Sequence, residues 1–94
     1  MDREFVVEIE KDAEEHIRRH KKSGNKASLN KIIQILEELK IHPYTGTGQP
    51  ERLKHNLSGF WSRRINQKDR MIYRVEEHIV TVFVVSAIGH YDEK

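Results

Sequence analysis

The sequence predicts an α+β fold in which an N-terminal strand and two helices pack on one face of a small, mainly antiparallel, twisted sheet. Two observations support this prediction. Apolar residues recur with helical period in the first half of the chain, whereas short alternating or apolar runs typical of strands fill the second half. Helices followed by a meander of strands are typical of α+β domains. The 94 residues are enough for a single domain, residues 1–94.

The beginning of the chain predicts one strand and one weak helix. Residues 5–9 are rich in β-branched and aromatic side chains, which favours a strand. Residues 11–23 favour a helix that Gly24 ends, and Asn25 is a candidate N-cap for the next helix. The apolar stripe of the first helix is short and includes two histidines: Ala13, His16, Ile17 and His20. These histidines are spaced like a helical metal-binding pair, but no third ligand is evident, so we predict no metal and no cofactor.

The second helix is clearer and should end near Ile41, because Pro43 disfavours helical backbone at the residue before it. Its apolar residues repeat with helical period and should cover the sheet: Leu29, Ile32, Ile33, Leu36 and Leu39. The polar residues between them should face outward: Lys31, Gln34, Glu37, Glu38 and Lys40. A Gly/Pro-rich loop, residues 43–50, then separates the helices from the strands. Gly46 and Gly48 should let this loop place the residue that follows it, Glu51.

Four further strands are predicted, around residues 52–54, 60–65, 70–75 and 78–87. The middle two alternate, so their side chains divide between the two faces of the sheet. In strand 60–65, one face carries Phe60, Ser62 and Arg64 and the other carries Trp61, Arg63 and Ile65. In strand 70–75, one face carries Arg70, Ile72 and Arg74 and the other carries Met71, Tyr73 and Val75. Trp61 could stack on a base, but its apolar neighbours favour a core position. The last strand is almost wholly apolar and should lie centrally, covered on both faces.

Positive charge is concentrated in one segment of the chain. The formal net charge is +2, and residues 1–50 balance nine Lys/Arg against nine Asp/Glu. Residues 49–74 carry seven basic and two acidic residues, a net charge of +5. The seven are Arg52, Lys54, Arg63, Arg64, Lys68, Arg70 and Arg74. Arginine binds phosphate well through its planar guanidinium, so this segment predicts a phosphate-binding face; an ordinary solvated surface is the alternative.

Composition also excludes several classes of protein. The chain has no cysteine, which excludes disulfides, a cysteine nucleophile and thiolate metal sites. No apolar run approaches the roughly 20 residues that a membrane-spanning helix needs, and the acidic first ten residues do not resemble a signal peptide. We therefore expect a soluble, cytoplasmic protein that is not associated with a membrane.

Two positions could carry acid–base chemistry. Glu51 follows the loop at the start of a short strand in the most basic segment, although a carboxylate there could simply pair with an arginine. His90, followed by Tyr91, comes directly after the most apolar strand, although a frayed terminus would explain the same position. With arginines nearby, such groups suffice for metal-free RNA cleavage. A base deprotonates a ribose 2′-hydroxyl, an acid protonates the departing 5′-oxygen, and arginines stabilise the charge that develops on phosphorus.

A long motif in this region closely resembles the YoeB/Txe-type toxins of the RelE superfamily, which belong to bacterial toxin–antitoxin systems. The resemblance is carried by residues 43–65, PYTGTGQPERLKHNLSGFWSRRI, and continues through residues 69–75 and 89–91. It implies a RelE-like fold and a ribosome-dependent endoribonuclease that cuts messenger RNA in the decoding site. It also implies three partners: the 70S ribosome, its mRNA, and a cognate antitoxin of the YefM/Axe type that is acidic and partly disordered. Close relatives can be homodimers, so self-association is an open expectation.

The resemblance implies a role for each matching residue. Glu51 corresponds to the proposed general base and Arg70 to the arginine that stabilises the transition state. His90 corresponds to the proposed general acid, and Tyr91 to the residue that orients the substrate or stacks on it. Four other positions match residues that hold RNA phosphates or ribosomal RNA: Lys54, His55, Arg63 and Arg64.

Two other functions stay open at this point. A non-catalytic toxin of the same fold, like the gyrase inhibitors of the superfamily, would lack the acid–base set, so the presence of Glu51, Arg70 and His90 argues against it. A plain basic RNA-binding or ribosome-binding module would bind with a steep salt dependence and leave the message intact.

Overall fold

The described part of the chain, residues 4–89 of a computed structural model, contains two helices and a five-stranded sheet. In chain order the elements are β1 (Val6–Ile9), α1 (Lys11–Ser23), α2 (Lys26–Leu39), β2 (Glu51–Arg52), β3 (Trp61–Arg64), β4 (Arg70–Glu76) and β5 (Thr81–Ser86). Two short 3₁₀ helices, His55–Leu57 and Glu77–Ile79, lie in the connections. Within these residues no helix combines the length and hydropathy needed to cross a membrane.

The sheet is mixed and mainly antiparallel, as predicted. Its strand order is β1-β5-β4-β3-β2. β1 pairs with β5 in parallel, and the other three pairings are antiparallel. A parallel pair needs a long crossover, which α1 and α2 help to provide. The α+β fold predicted from the sequence is therefore confirmed.

Both helices contribute to a core that lies against one face of the sheet. Ile32, Ile35 and Leu39 of α2 and Ala13 of α1 are all fully buried. The sheet contributes the fully buried Met71, Tyr73, Val82 and Val84. Because this face is closed, side chains that point to the other face of β3 and β4 are the ones available for binding. Trp61 packs at the edge of the core, half-buried, so the prediction that it is a core residue is confirmed.

Local signals placed three of the four helix ends correctly. α1 ends at Gly24, which has the left-handed φ of 78° that glycine tolerates best. The Asn25 side chain accepts a hydrogen bond of 3.0 Å from the backbone N–H of Ser28, so the predicted N-cap is confirmed. The last helical residue is Leu39, two residues before the predicted end at Ile41.

The predicted apolar face of α2 is wrong in its helical phase. Ile33 is 51% exposed, whereas Ile35, which was left out of that face, is fully buried. Glu38 was expected to face outward, but its side chain is only 24% exposed and contacts β3. Ile33 and Ile35 lie about 160° apart around the helix, and contact with the sheet selects which of them is buried.

Four strands are shorter than predicted. β1 begins at Val6, not at residue 5, and β3 comprises only Trp61–Arg64, not residues 60–65. β2 comprises only Glu51–Arg52, not residues 52–54. β5 begins at Thr81, not at residue 78, because a 3₁₀ turn and a left-handed Val80 (φ 49°) precede it. β5 does lie centrally, between β1 and β4. Only one of its faces is closed in the described part of the chain, since Phe83 and Val85 are half-buried.

Candidate active site

The face of the sheet opposite the helices, which we call the open face, gathers charged residues from three adjacent strands. Glu51 of β2 pairs with Ser62 of β3, and Arg64 of β3 pairs with Arg70 of β4. Residues that pair across strands share a face, and so do residues two apart along one strand. Glu51, Arg64 and Arg70 therefore all lie on the open face.

These three residues line one cleft. An Arg70 guanidinium nitrogen lies 3.7 Å from a Glu51 carboxylate oxygen, which is longer than a charge-assisted hydrogen bond of about 2.7–2.9 Å. The Glu51 side chain is 56% exposed and that of Arg70 is 24% exposed, so both can be reached from solvent. The cleft has a volume of about 410 Å³ and is lined by Gln49, Pro50, Glu51, Arg64 and Arg70.

The charges in this cleft are unbalanced. Arg64 lies directly opposite Arg70 in the cross-strand register, and like charges in that position repel each other. Glu51 supplies one negative charge for the two guanidinium groups. The cleft therefore keeps a net positive charge among its lining residues, and an RNA phosphate would relieve the repulsion between the arginines.

The loop before Glu51 is fixed to β3 by a glycine. The carbonyl of Gly48 accepts a hydrogen bond of 2.6 Å from the backbone N–H of Arg64. Gly48 has a φ of +86°, and a Cβ built on it would lie 2.8 Å from the Arg64 carbonyl oxygen. Only glycine fits this close approach without a shift, and the approach brings the loop to the cleft three residues before Glu51.

The structure contradicts the prediction that Arg63 binds RNA phosphate. Its side chain is fully buried and points to the helix face of the sheet, because β3 alternates and Arg64 takes the open face. It donates five hydrogen bonds within the fold, to the Glu38 carboxylate, the Tyr73 hydroxyl and the carbonyls of His42, Thr45 and Thr47. Arg63 therefore anchors the loop that leads to Glu51, and we place it outside the phosphate-binding set.

Two groups around Arg63 have shifted pKa values. Burial by itself would raise the pKa of Glu38, but hydrogen bonds from the Thr47 hydroxyl and backbone N–H and from Arg63 outweigh it. The pKa of Glu38 is therefore below its usual range, and the carboxylate is held ionised next to Arg63. Burial raises the pKa of Tyr73, against the opposing effect of Arg63, so its hydroxyl is held protonated and donates to the Pro43 carbonyl at 2.8 Å.

Lys54 and His55 do not line the cleft, although both are exposed. They follow β2 on the way into the 3₁₀ helix His55–Leu57, and His55 has a left-handed φ of 58°. Their proposed contact with RNA stays a prediction.

His90 and Tyr91 lie outside the described residues, but the structure shows how the chain approaches them. The carbonyl of Gly89 accepts a hydrogen bond of 2.8 Å from the backbone N–H of Arg70. The N–H of Gly89 donates to the Asp69 carboxylate, also at 2.8 Å. Gly89, the residue before His90, is therefore hydrogen-bonded to the backbone of Arg70.

Asp69 was not singled out from the sequence, and it is only 6% exposed. Burial would raise its pKa, but the Gly89 N–H and the Asn66 side chain donate to it, and His20 and Lys68 lie nearby. The net result is a lowered pKa and a stable carboxylate. Its place in a turn between two strands resembles an ordinary Asx turn residue, so its link to Gly89 left no signal in the sequence.

The two histidines of α1 have backbone partners. His16 and His20 are both hydrogen-bonded to the backbone of Ala87. Within residues 4–89 no group of three or more metal-binding side chains comes together.

Comparison with known proteins finds matches in one toxin family. A family model for the YoeB-like toxin of bacterial type II toxin–antitoxin systems matches residues 9–91. Toxin YoeB of Escherichia coli O6:H1 is 40% identical over 67 residues, which is 71% of this chain and 77% of that protein.

Solved structures that share the fold include two from Staphylococcus aureus. The YoeB dimer from Staphylococcus aureus has a TM-score of 0.78 and 29% identity, and the match covers 94% of this chain and 99% of that one. The heterotetrameric YoeB–YefM toxin–antitoxin complex from the same organism has a TM-score of 0.76 and 30% identity, covering 93% and 98%. The RelE-like fold implied by the sequence motif is confirmed. The chain therefore belongs to the YoeB-like toxins of bacterial type II toxin–antitoxin systems.

Proposed function

We propose that this toxin is a ribosome-dependent endoribonuclease that cleaves messenger RNA in the decoding site without a metal ion. One observation carries the proposal: the position of Arg70. Its guanidinium lies 3.7 Å from Glu51, and its backbone N–H is bonded to Gly89, the residue before His90. In the proposed reaction the Glu51 carboxylate, the Arg70 guanidinium and the histidine that follows Gly89 act on one nucleotide.

Each group has a defined task in the proposed reaction. Glu51 removes the proton of a ribose 2′-hydroxyl, and the 2′-oxygen attacks the adjacent phosphorus. The bond from phosphorus to the 5′-oxygen breaks, and His90 protonates that oxygen. The products are a 2′,3′-cyclic phosphate and a free 5′-hydroxyl. Arg70 and Arg64 stabilise the added negative charge on the phosphoryl oxygens, and Tyr91 orients the substrate.

The ribosome supplies the rest of the substrate geometry. Lys54 and His55 are exposed on the chain that follows Glu51, where they would contact RNA phosphates. Such contacts add affinity that falls as the salt concentration rises. They add little to the chemical step itself.

We further propose that a YefM-like antitoxin inhibits the toxin by covering the positive cleft. The Staphylococcus aureus relative has been solved as a YoeB–YefM complex and as a YoeB dimer. An acidic, partly disordered segment of the antitoxin would pair with Arg64 and Arg70 and fold on binding. Because that relative has also been solved as a dimer, we propose that the free toxin forms a homodimer.

In-vitro translation followed by primer extension tests the activity. We expect wild-type toxin to produce cuts at defined codon positions on programmed ribosomes. Arg70→Ala should lower the single-turnover rate about 10²–10³-fold, the usual loss when one preorganised donor to the transition state is removed. His90→Ala should also lower it strongly, and Glu51→Ala somewhat less.

Arg18→Ala is the matched control, since Arg18 is an arginine on α1 that pairs with Glu15 and does not line the cleft. It should cleave like wild type. Equal cleavage by Arg70→Ala and wild type would refute the assignment of the site. If wild-type toxin leaves the message uncut on programmed ribosomes, the enzymatic function itself is wrong, and the gyrase-inhibitor-like or RNA-binding alternative takes its place.

A further inference from the structure

Ala87, the first residue after β5, is held between two imidazoles. His16 Nδ1 accepts a hydrogen bond of 3.0 Å from the Ala87 N–H, and His20 Nε2 donates one of 2.8 Å to the Ala87 carbonyl. The two histidines are four residues apart on α1 and so lie on one face of the helix. Ala87 is fully buried, and its two backbone groups face different side chains of one helix turn.

Gly89 is held in the same way, from the other side of the chain. Its N–H donates to Asp69, and its carbonyl accepts from the backbone N–H of Arg70, both at 2.8 Å. The second oxygen of Asp69 accepts from Asn66, whose amide also donates to the Ser28 hydroxyl on α2. Four hydrogen bonds therefore hold two alternate residues of a three-residue segment, residues 87–89.

These bonds do more than complete the sheet. β5 ends at Ser86, so the backbone groups beyond it have left the strand ladder and need other partners. A segment at the protein surface could satisfy them with water. Here buried or half-buried side chains supply three of the four partners, and the backbone of Arg70 supplies the fourth. They attach the segment both to α1 and to the turn that leads into Arg70. The segment is thus fixed relative to the cleft.

We propose that His16, His20 and Asp69 are positioning residues for the nuclease reaction: by clamping residues 87–89 they fix the point from which the chain continues to His90, the proposed general acid. This inference rests on the proposed function above. Consecutive Cα atoms are about 3.8 Å apart, so any displacement of Gly89 also displaces the start of the segment that carries the proposed general acid. A displacement of about 1 Å in a reacting group can lower a rate about 10²-fold, so loss of the clamp should be measurable as a slower reaction.

Paired substitutions separate the hydrogen bond from the size of the side chain. Asparagine places an acceptor oxygen where His16 has Nδ1, counted in bonds from Cβ, and glutamine places an N–H donor where His20 has Nε2. Leucine fills similar space at either position without the bond. Asp69→Asn keeps an acceptor for the Gly89 N–H, whereas Asp69→Ala removes it.

The first measurement is single-turnover cleavage on programmed ribosomes over a range of ribosome concentrations. We expect His16→Leu, His20→Leu and Asp69→Ala to lower the rate at saturation about 10–100-fold, with the half-saturating concentration unchanged. His16→Asn and His20→Gln should stay within about threefold of wild type. His78→Leu is the control, because His78 is 77% exposed and lies outside the clamp.

The second measurement is amide hydrogen exchange of Ala87 and Gly89, each compared with core amides of the same variant, at a temperature where all variants are folded. The leucine variants should speed exchange at Ala87, and Asp69→Ala should speed it at Gly89. Unchanged exchange would show that the clamp does not exist, whatever the activity. Fast exchange with wild-type cleavage would show that the clamp does not position His90. Protected amides in a wild-type toxin that cuts no message would instead refute the proposed function, and the catalytic role of the clamp with it.

Discussion

Replacing Arg63 with methionine should destabilise the fold far more than the same replacement at its neighbour, Arg64. Methionine keeps most of the aliphatic length of arginine but donates no hydrogen bond. At position 63 it would remove five donated bonds from a fully buried site. Arg64 is exposed on the opposite face of the same strand. The two variants therefore make the same Arg→Met replacement in two different environments.

The expected magnitude follows from what Arg63→Met leaves behind. Removing one partner of a buried ion pair costs about 3–5 kcal/mol, because the other charge stays uncompensated. Glu38 is 24% exposed and keeps two hydrogen bonds from Thr47, so we expect the lower end, about 3–4 kcal/mol. Domains of this kind have free energies of unfolding of about 5–15 kcal/mol, so the loss is a large share of the total. Arg64→Met should change it by less than about 0.5 kcal/mol.

Urea unfolding followed by fluorescence measures both variants. Trp61 is the single tryptophan of the chain, and its ring centroid lies 5.0 Å from that of Tyr44 at the edge of the core. Its emission should therefore report global unfolding. A common midpoint for Arg63→Met and Arg64→Met would refute the conclusion that Arg63 is structural. Arg64→Met should also cleave more slowly than wild type although it is stably folded, because Arg64 lines the cleft.

Two further predictions concern the loop and its anchor. Gly48→Ala should lower the cleavage rate at least tenfold, because its Cβ would lie 2.8 Å from the Arg64 carbonyl oxygen and displace β3. Gly24→Ala is the control, because Gly24 has a similar φ of +78° and no atom lies within 4 Å of the added Cβ. Single-turnover assays should find Gly24→Ala fully active. If both variants are equally slow, backbone strain alone is responsible. Glu38→Gln should lower the free energy of unfolding at neutral pH, and urea titrations at several pH values should find that this deficit shrinks on acidification. The pKa of Glu38 is lowered in the folded state, so its contribution is complete above the ordinary value of 4.5 and is lost as the pH falls through the lower folded-state pKa; a deficit that stays constant down to acid pH would contradict the ion pair.

Elements set by local signals were predictable from the sequence, and elements set by packing were not. The bounds of α1 and the Asn25 cap follow from residues within one turn of each helix end. The buried face of α2 does not, because isoleucine occupies both position 33 and position 35. Either phase presents an apolar stripe, and the sheet selects the one that contains Ile35.

In the candidate site, too, features set by local sequence were predictable and features set by distant contacts were not. Strand alternation separated Arg64 from Arg63 and Arg70 from Met71, and the motif identified Glu51. Only the cross-strand register shows that Arg64 and Arg70 share a face. The same alternation placed Arg63 with Trp61 and Ile65, on the core face, which was the available signal that it is not an RNA contact. Its partner Glu38 lies 25 residues away on a helix, and such a pairing has no local signature. The contact of His16 with Ala87 spans 71 residues and ends on a backbone group, so no pattern of side chains could have predicted it.

Net charge is therefore a poor guide to the phosphate-binding strength of this segment. Of the seven basic residues in positions 49–74, Arg63 is used inside the fold, and Arg74 pairs with Glu10 and Glu76. Arg70 is shared between Glu51 and the space where a phosphate would lie. The alternation of side chains along β3 gives its two adjacent arginines different roles, because they point to opposite faces and meet different dielectric environments. A substitution at Arg63 on the core face should consequently act first on stability, whereas a substitution at Arg64 on the open face can change cleavage without loosening the fold.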